Sequence, residues 1–209
     1  MDYQQSRAYI RDAEQYAGGA LDLTNIKEIM KRLGNPQDQL KYVHVAGTNG
    51  KGSVIAYLYT TLTNAGYHVG RYISPSVYSY REKIEVEGTP ISREQFAKHT
   101  TRVAAVIEEM TAEGLAHPTP FEIETAVAFL FFAEEKCDPV ILEVGMGGIT
   151  DATNLIRTTE LAVLVPISMD HQSFLGNTIA EIAEKKAGII KKEKGRILII
   201  DEDRLKALI

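Results

Sequence analysis

The sequence predicts an α/β fold in which a mostly parallel sheet is flanked by helices. Short apolar runs of the buried-strand type alternate along the chain with longer segments whose apolar residues recur at helical spacing. A strand that passes through a glycine-rich turn directly into a helix, at 42–65, is typical of such folds. With 209 residues the chain is long enough for one large domain with a sizeable core.

The N-terminal half opens with helices. Apolar residues at Tyr9, Ile10, Ala13, Tyr16 and Ala17 predict an opening helix. A second helix is predicted over 25–33, with Thr24 as its N-cap and Gly34 as its end. A short strand at 42–46 follows, then a helix over 51–65 that ends at Gly66, and a second strand at 69–73. These elements form the first strand–helix–strand unit of the predicted sheet.

The remainder continues the alternation. Residues 83–91 alternate around Glu87-Gly88 as a small hairpin. A capping box that begins at Ser92 predicts a helix to 112, and Thr119-Pro120 begins a helix to 136. The last predicted elements are strands at 140–144, 161–167 and 196–200, a helix over 180–189 and a short charged helix over 203–208.

Composition excludes several classes of function. The formal charge of -5 gives no general reason to expect nucleic acid as a partner, and any site for a polyanion must concentrate positive charge locally. The one cysteine, Cys137, cannot form an intramolecular disulfide and fits a reducing cytoplasm. No signal peptide and no apolar run of about 18 residues is present. We therefore expect a cytoplasmic monomer with no membrane partner.

The segment Gly47–Ser53 has the features of a phosphate-binding loop. Its glycines let backbone N–H groups turn toward an anion, the next helix points its N-terminus at the same place, and Lys51 adds a positive charge. The common form has glycine at the place of Val45 and Ser or Thr at the place of Gly52, so a magnesium ion would be held mainly from elsewhere. The alternative is an ordinary glycine turn with a solvated lysine.

Polar side chains at predicted strand ends are the other candidates. Glu143 ends an apolar run, where a carboxylate is costly unless a cation pairs with it, so it is either a magnesium ligand or half of a salt bridge. His171 lies just past the strand at 161–167. On the residues alone, Ser74-Pro75 is a turn and Lys186 is a solvated lysine on an amphipathic helix.

Five separated segments resemble the folylpolyglutamate and dihydrofolate synthases of the Mur ligase superfamily. They match in order and approximate spacing over nearly the whole chain: His44–Ser53, Ser74-Pro75, Pro120–Glu122, Glu143–Asn154 and Asp170–Ile189. The resemblance implies that 1–209 is an N-terminal P-loop ATPase domain of the Mur ligase central type, incomplete and truncated, without the C-terminal glutamate-binding domain. Such a chain is expected to bind Mg-ATP but to ligate poorly or not at all.

The resemblance also implies a reaction. Members of the family are ATP-dependent amide ligases that join L-glutamate to a folate or dihydropteroate carboxylate through an acyl phosphate, with ATP and Mg²⁺ as cofactors. The sequence leaves open which of the two substrates is used. Two alternatives also stay open: a degenerate, non-catalytic Mg-ATP-binding module, and a Mur-type peptide ligase. An unrelated P-loop NTPase or kinase would need Ser or Thr directly after Lys51.

Site residues are carried over position by position. The resemblance implies ATP binding by Thr48, Asn49, Gly50, Lys51, Gly52 and Ser53, and metal binding by Ser74, Glu143 and His171. It implies catalytic roles for Lys51, His171 and Lys186, the last as a carbamate that helps to hold a second magnesium. Phe121, Glu122, Asp151 and Ala152 match the substrate pocket, and Leu21-Asp22-Leu23 matches it less fully; Glu122 also completes a capping box with Thr119.

The chain departs from the family pattern at three informative places. Ile149 stands where arginine is usual, and Lys185 where glutamate is usual, which favours the degenerate-module alternative. Lys83 replaces an arginine and keeps the charge, but it loses the bidentate fork of a guanidinium.

Overall fold

The structure is a computed structural model that describes residues 1–17, 22–191 and 195–200. In these ranges one sheet has seven strands: β1 (Tyr42–Ala46), β2 (Gly70–Tyr72), β3 (Ile84–Val86), β4 (Thr89–Pro90), β5 (Val140–Glu143), β6 (Thr159–Leu164) and β7 (Arg196–Ile199). Their order is β4-β3-β2-β5-β1-β6-β7. The strands from β2 to β7 in this order pair in parallel, whereas β3 and β4 form an antiparallel edge. The predicted mostly parallel α/β fold is confirmed.

Helices flank this sheet. The described part of the chain forms α1 (Tyr3–Asp12), α2 (Thr24–Arg32), α3 (Lys51–Asn64), α4 (Arg93–Ala112), α5 (Pro120–Glu134), α6 (Gln172–Leu175) and α7 (Ile179–Ala187). Turns of 3₁₀ helix lie at Ala13–Tyr16, Pro36–Gln39, Tyr80–Lys83 and Ala152–Leu155. The helix predicted over 203–208 lies outside the described residues. No helix in the described ranges is both long and apolar enough to cross a membrane.

Alternation along the strands sends side chains to two layers. From β1, Tyr42 joins the large core beneath α1, α2, α4 and α5, whereas Val43 and Val45 pack beneath α3. Most of α5 is buried because it is apolar on every face and lies between the sheet and the outer helices. Val140 and Leu142 of β5 face the same large core.

The predicted N-cap of the second helix was wrong. Thr24 is the first residue of α2 and not its N-cap, and its N–H donates to Asp22 Oδ1 at 2.7 Å. The opening helix begins at Tyr3, before its first apolar marker at Tyr9, because Asp2 and Gln5 form a capping box that no apolar pattern signals. The short helix α6 was not predicted, and four residues are too few to show helical periodicity.

The parallel strands bring several loops to one edge of the sheet. The C-terminal ends of β1, β2, β5 and β6 lead into the loops at 47–50, 73–79, 144–151 and 165–171. These loops hold most of the residues that the sequence singles out, and open α/β sheets bind ligands at this edge.

Candidate functional site

The glycine-rich loop is pinned against the loop that follows β6. Gly47 has a φ of +153°, and a Cβ there would lie 2.1 Å from Cγ2 and 2.8 Å from the carbonyl oxygen of Val165, so only glycine fits. Thr48 N–H donates to Pro166 O at 3.0 Å. The Thr48 hydroxyl donates to Ser168 O at 3.2 Å and accepts from Ser168 N–H at 3.1 Å. The loop is therefore ordered by contacts remote in sequence.

The loop presents the N-terminus of α3. Gly50, with a φ of +87°, is the N-cap residue, and no side-chain hydrogen bond caps the helix. Lys51, Gly52 and Ser53 form the first turn, and Asn49 N–H contacts Pro166 O at 3.5 Å. An uncapped helix N-terminus of this length directs backbone donors and partial positive charge at an anion.

Lys51 lies between the loop and Glu143. Its Nζ donates to the carbonyl oxygens of Gly47 at 3.3 Å and Thr48 at 3.5 Å, and it lies 3.8 Å from Glu143 Oε1. Glu143 is buried, and its Oε2 accepts from Ser74 N–H at 3.2 Å. Burial raises the pKa of Glu143, while the Ser74 N–H and the Lys51 charge oppose that shift. The cation partner that the sequence demands for Glu143 is present as Lys51.

Lys186 is not a solvated lysine. It is only 3% exposed, and its Nζ donates to Gly47 O at 3.0 Å. Burial lowers the pKa of Lys186, and the nearby Lys51 charge lowers it further, whereas Asp170 and Asp151 oppose the shift. Backbone contact holds its helix in place, because a Cβ on Gly148 would lie 2.8 Å from Lys186 O.

His171 lies at the N-cap of α6 with a φ of +44°. Its ring is half exposed, and Nε2 is 3.5 Å from Asp170 Oδ1. Within the described ranges, no hydrogen bond or ion pair joins His171 to Glu143 or Ser74, and no group of three or more His, Cys, Asp or Glu side chains is placed to hold a metal ion. The metal-binding role of His171 stays a prediction.

A cleft of about 540 Å³ opens next to the loops that follow β2 and β5. The cleft is lined by all four residues predicted for the substrate pocket: Phe121, Glu122, Asp151 and Ala152. Ser74 and Asp22 line it as well. Glu14, Met146 and Phe174 also line the cleft and were not predicted. Phe174 is a half-exposed aromatic on α6, and nothing in a four-residue helix distinguishes a cleft-lining ring from a surface ring.

Phe121 and Glu122 are fixed at the start of α5. The Phe121 ring is nearly parallel to that of Tyr72, with centroids 6.0 Å apart, and a Cβ on Gly145 would lie 2.6 Å from it. Glu122 Oε2 accepts from the N–H of Thr119 at 2.8 Å and from its hydroxyl at 2.9 Å. Glu122 is thus both a helix cap and part of the cleft wall.

Asp151 is a buried carboxylate in the same wall. Its Oδ2 accepts from Met146 N–H at 2.8 Å, and its Oδ1 accepts from the N–H of Thr153 at 3.0 Å and from its hydroxyl at 2.5 Å. Burial raises the pKa of Asp151, and these hydrogen bonds oppose the shift. The surrounding donors therefore orient the carboxylate.

Lys83 lines the cleft but is already paired. Its Nζ lies 2.8 Å and 3.0 Å from the two oxygens of Glu124, which also accepts from the Tyr80 hydroxyl. All three are held between the 3₁₀ turn and α5. The Lys83 charge is thus largely compensated by a buried carboxylate.

The two positions where the chain departs most from the family pattern lie together. Ile149 N–H donates to Lys185 O at 3.0 Å, and both residues line a second pocket of about 120 Å³ with Met146 and Phe174. That pocket adjoins the main cleft, because Met146, Thr150 and Phe174 line both. These two departures therefore lie at one place beside the cleft.

One residue joins the cleft to the phosphate loop. Ser74 lines the cleft, its N–H donates to Glu143 Oε2, and Glu143 Oε1 is 3.8 Å from Lys51 Nζ. A group at the end of the cleft nearest Ser74 would therefore lie close to a phosphate held by the loop.

Known proteins resemble this chain in sequence and in fold. The profile of the Mur ligase middle domain matches residues 45–208. The dihydrofolate synthase/folylpolyglutamate synthase of Bacillus subtilis (strain 168) is 44% identical over 191 residues, which are 91% of this chain and 44% of that protein. The folylpolyglutamate synthase of Lacticaseibacillus casei is 38% identical over 193 residues, 92% of this chain and 45% of that protein. A solved FPGS-AMPPCP-folate complex matches with a TM-score of 0.87 and 35% identity, covering 96% of this chain and 49% of that one. The chain spans about half the length of these relatives.

Proposed function

This chain belongs to the Mur ligase family and is homologous to the folylpolyglutamate and dihydrofolate synthases, and we propose that it carries the ATP-binding and pteridine-binding part of such an amide ligase. One observation carries the proposal: the cleft and the phosphate loop meet at Ser74 and Glu143. A carboxylate on a ligand in the cleft can thus approach the terminal phosphate of a nucleotide.

The nucleotide phosphates would lie against the start of α3. The backbone N–H groups of the first turn of α3, at Lys51, Gly52 and Ser53, and the Lys51 amine would supply the anion site. A relative has been solved with AMPPCP, an ATP analogue. Glu143 and the Ser74 hydroxyl offer oxygen donors of the kind that Mg²⁺ prefers, and His171 would add an imidazole. When bound, this ion would supply charge neutralisation at the phosphates.

The pteridine would occupy the cleft. A volume of about 540 Å³ is in the range typical of small-molecule sites. Phe121 offers an aromatic face, and the carboxylates of Asp151 and Glu122 offer acceptors for ring N–H groups. Folate is present in the solved relative that also holds AMPPCP.

The proposed reaction follows from this placement. An oxygen of the ligand carboxylate attacks the γ-phosphorus, the bond to the ADP oxygen breaks, and an acyl phosphate forms. The amine of glutamate then attacks the acyl carbon, phosphate leaves, and the nitrogen loses a proton to give the amide. Lys51 would stabilise negative charge on the transferred phosphoryl group, and the glycine-rich loop would position that group.

We also propose glutamate as the second substrate, and the choice between dihydropteroate and folate stays open. The chain covers 44% of the Bacillus subtilis relative, and we expect it to ligate poorly or not at all by itself. We also propose that Lys186 carries a carbamate and that the protein is cytoplasmic and monomeric. Cys137 is a buried free thiol, which is compatible with that compartment.

Calorimetric titration with ATP and Mg²⁺ tests the nucleotide site. We expect binding by the wild-type chain, loss of binding by Lys51→Ala, and unchanged binding by Lys27→Ala, which removes an exposed lysine of α2. Pteroate, titrated separately, should bind all three proteins, because Lys51 does not line the cleft. A folded wild-type chain that binds neither ligand would contradict the proposal.

A further inference from the structure

Two buried side chains connect Asp151 to the middle of the sheet. His44, on β1, has no exposed surface, and its Nε2 is 2.8 Å from the hydroxyl of Thr153, which is also fully buried. The same hydroxyl is 2.5 Å from Asp151 Oδ1. The three side chains thus form a continuous hydrogen-bonded series that ends at the cleft wall.

The hydrogens in this series have one consistent arrangement. The Thr153 hydroxyl has a single hydrogen and a carboxylate only accepts, so the hydroxyl donates to Asp151 and accepts from His44. His44 must then carry its proton on Nε2. The reverse arrangement would place the proton on Nδ1, which is buried with no partner among the described residues. A buried N–H without an acceptor costs about 1–3 kcal/mol, which disfavours it.

The imidazole ring of His44 is also held neutral. Burial lowers the pKa of His44 to about 3, and the charge of Lys191 contributes to the same shift. The other partners of Asp151, the backbone N–H groups of Met146, Thr153 and Gly145, are donors as well. Each of these neighbours donates a hydrogen bond to Asp151, so its carboxylate acts only as an acceptor.

We propose that His44 is a positioning residue for the cleft: through Thr153 it orients the Asp151 carboxylate to accept hydrogen bonds from the amino and ring N–H groups of a planar heteroaromatic ligand. The inference rests on the proposed function, because it assigns this ligand to the same cleft. Filling space does not explain the residue. Leucine would occupy a similar volume and leave no unpaired polar atom in the core.

The tautomer is the first measurement. Nitrogen-15 NMR of the labelled wild-type chain should show His44 protonated on Nε2 and bare on Nδ1, and the opposite tautomer would overturn the proposal. The second measurement compares His44→Leu, which removes the donor, with His44→Gln, whose amide nitrogen replaces it. Thr153→Val is an independent variant that interrupts the series at its middle.

Calorimetry with pteroate, and with an analogue that lacks the 2-amino group, separates positioning from folding. We expect His44→Leu and Thr153→Val to bind pteroate about tenfold more weakly, corresponding to about 1.4 kcal/mol. His44→Gln should bind nearly as wild type, and ATP affinity should not change in any variant. The analogue should bind wild type and variants alike, which a general structural defect would not produce.

The failures are distinguishable. Undiminished pteroate affinity in both His44→Leu and Thr153→Val, or an equal loss for pteroate and the analogue, would overturn this inference and leave the proposed function standing. A folded wild-type chain that binds ATP but no pteroate would overturn the pteridine part of the proposed function, and this inference with it.

Discussion

His99 lies on α4 with its side chain fully buried against the Phe131 ring. Neither ring nitrogen has a hydrogen-bond partner among the described residues. Burial lowers its pKa to about 4, against the opposing charge of Glu134, whose carboxylate oxygen is 3.8 Å from Nε2. His99 therefore stays neutral in the folded chain under conditions where an exposed histidine is protonated.

This difference predicts acid destabilisation. As pH falls below the ordinary histidine pKa of 6.5, the unfolded chain binds a proton at His99 that the folded chain does not bind until about pH 4. The free energy of unfolding therefore falls as pH falls through that window. We expect His99→Leu to remove about 1–2 kcal/mol of the loss between about pH 7.5 and about pH 5, measured by urea unfolding.

The control for this experiment is Val103→Ala, at a buried residue of the same helix that carries no titratable group, which should lower stability without changing its pH dependence. His44 contributes with the same sign as His99, since its pKa is also lowered by burial. Asp151 and Glu143 contribute with the opposite sign, because their raised pKa values favour the folded state at low pH. An identical pH dependence in His99→Leu and wild type would show that His99 is not the cause.

At the scale of elements, one helix cap places two of the cleft residues, Thr119 and Glu122. The capping boxes predicted at Ser92 and Thr119 are both present. The one at Thr119 differs in its consequence, because Glu122 is both the reciprocal partner and a cleft residue. Loss of this cap therefore acts on stability and on the shape of the cleft.

A matched pair of substitutions separates these effects. Thr119→Ala and Ser92→Ala each remove the side-chain acceptor of a capping box, so each should lower the free energy of unfolding by about 1 kcal/mol. Only Thr119→Ala should weaken pteroate binding, since Ser92 does not line the cleft. Urea unfolding and calorimetry measure the two quantities. Equal pteroate affinity in both variants would show that the cap does not position Glu122 for the ligand.

At the scale of the whole molecule, Lys186 ties α7 to the phosphate loop. Its Nζ donates to Gly47 O across 139 positions of sequence. The charged sequence around Lys186 does not indicate that this side chain is buried. Lys186 is buried because Gly148, which has no side chain, lets α7 approach the loop that follows β5. This contact places an amine with a lowered pKa beside the glycine-rich loop.

A neutral amine is the form that adds CO₂, so we predict that Lys186 becomes a carbamate, with loss of one proton to solvent. Carbon-13 NMR in labelled bicarbonate should show a carbamate signal that is lost in Lys186→Met. Lys191→Met is the control. Burial also lowers the pKa of Lys191, but its Nζ donates to the carbonyl and side-chain oxygens of Asn154. The carbamate signal should therefore persist in Lys191→Met. A wild-type chain without any carbamate signal would contradict the prediction.

The sequence by itself determined the order of the strands and of the longer helices, the mostly parallel class of the sheet and the glycine-rich loop. These features depend on local causes: the spacing of apolar residues, the capping residues at helix starts, and the glycines at Gly47 and Gly50 that the turn requires. The predicted substrate residues were found on one cleft wall because they follow motifs at strand and helix ends.

Only the tertiary structure decided which distant residues meet. The strand order places β5 between β2 and β1, so that Ser74, Glu143 and Lys51 form one junction. The burial of Lys186 and the connection from His44 to Asp151 likewise depend on packing between segments more than 100 residues apart. Local patterns cannot encode such contacts, because the residues involved share no turn, helix face or strand. The role of His171 in metal binding stays a prediction for the same reason.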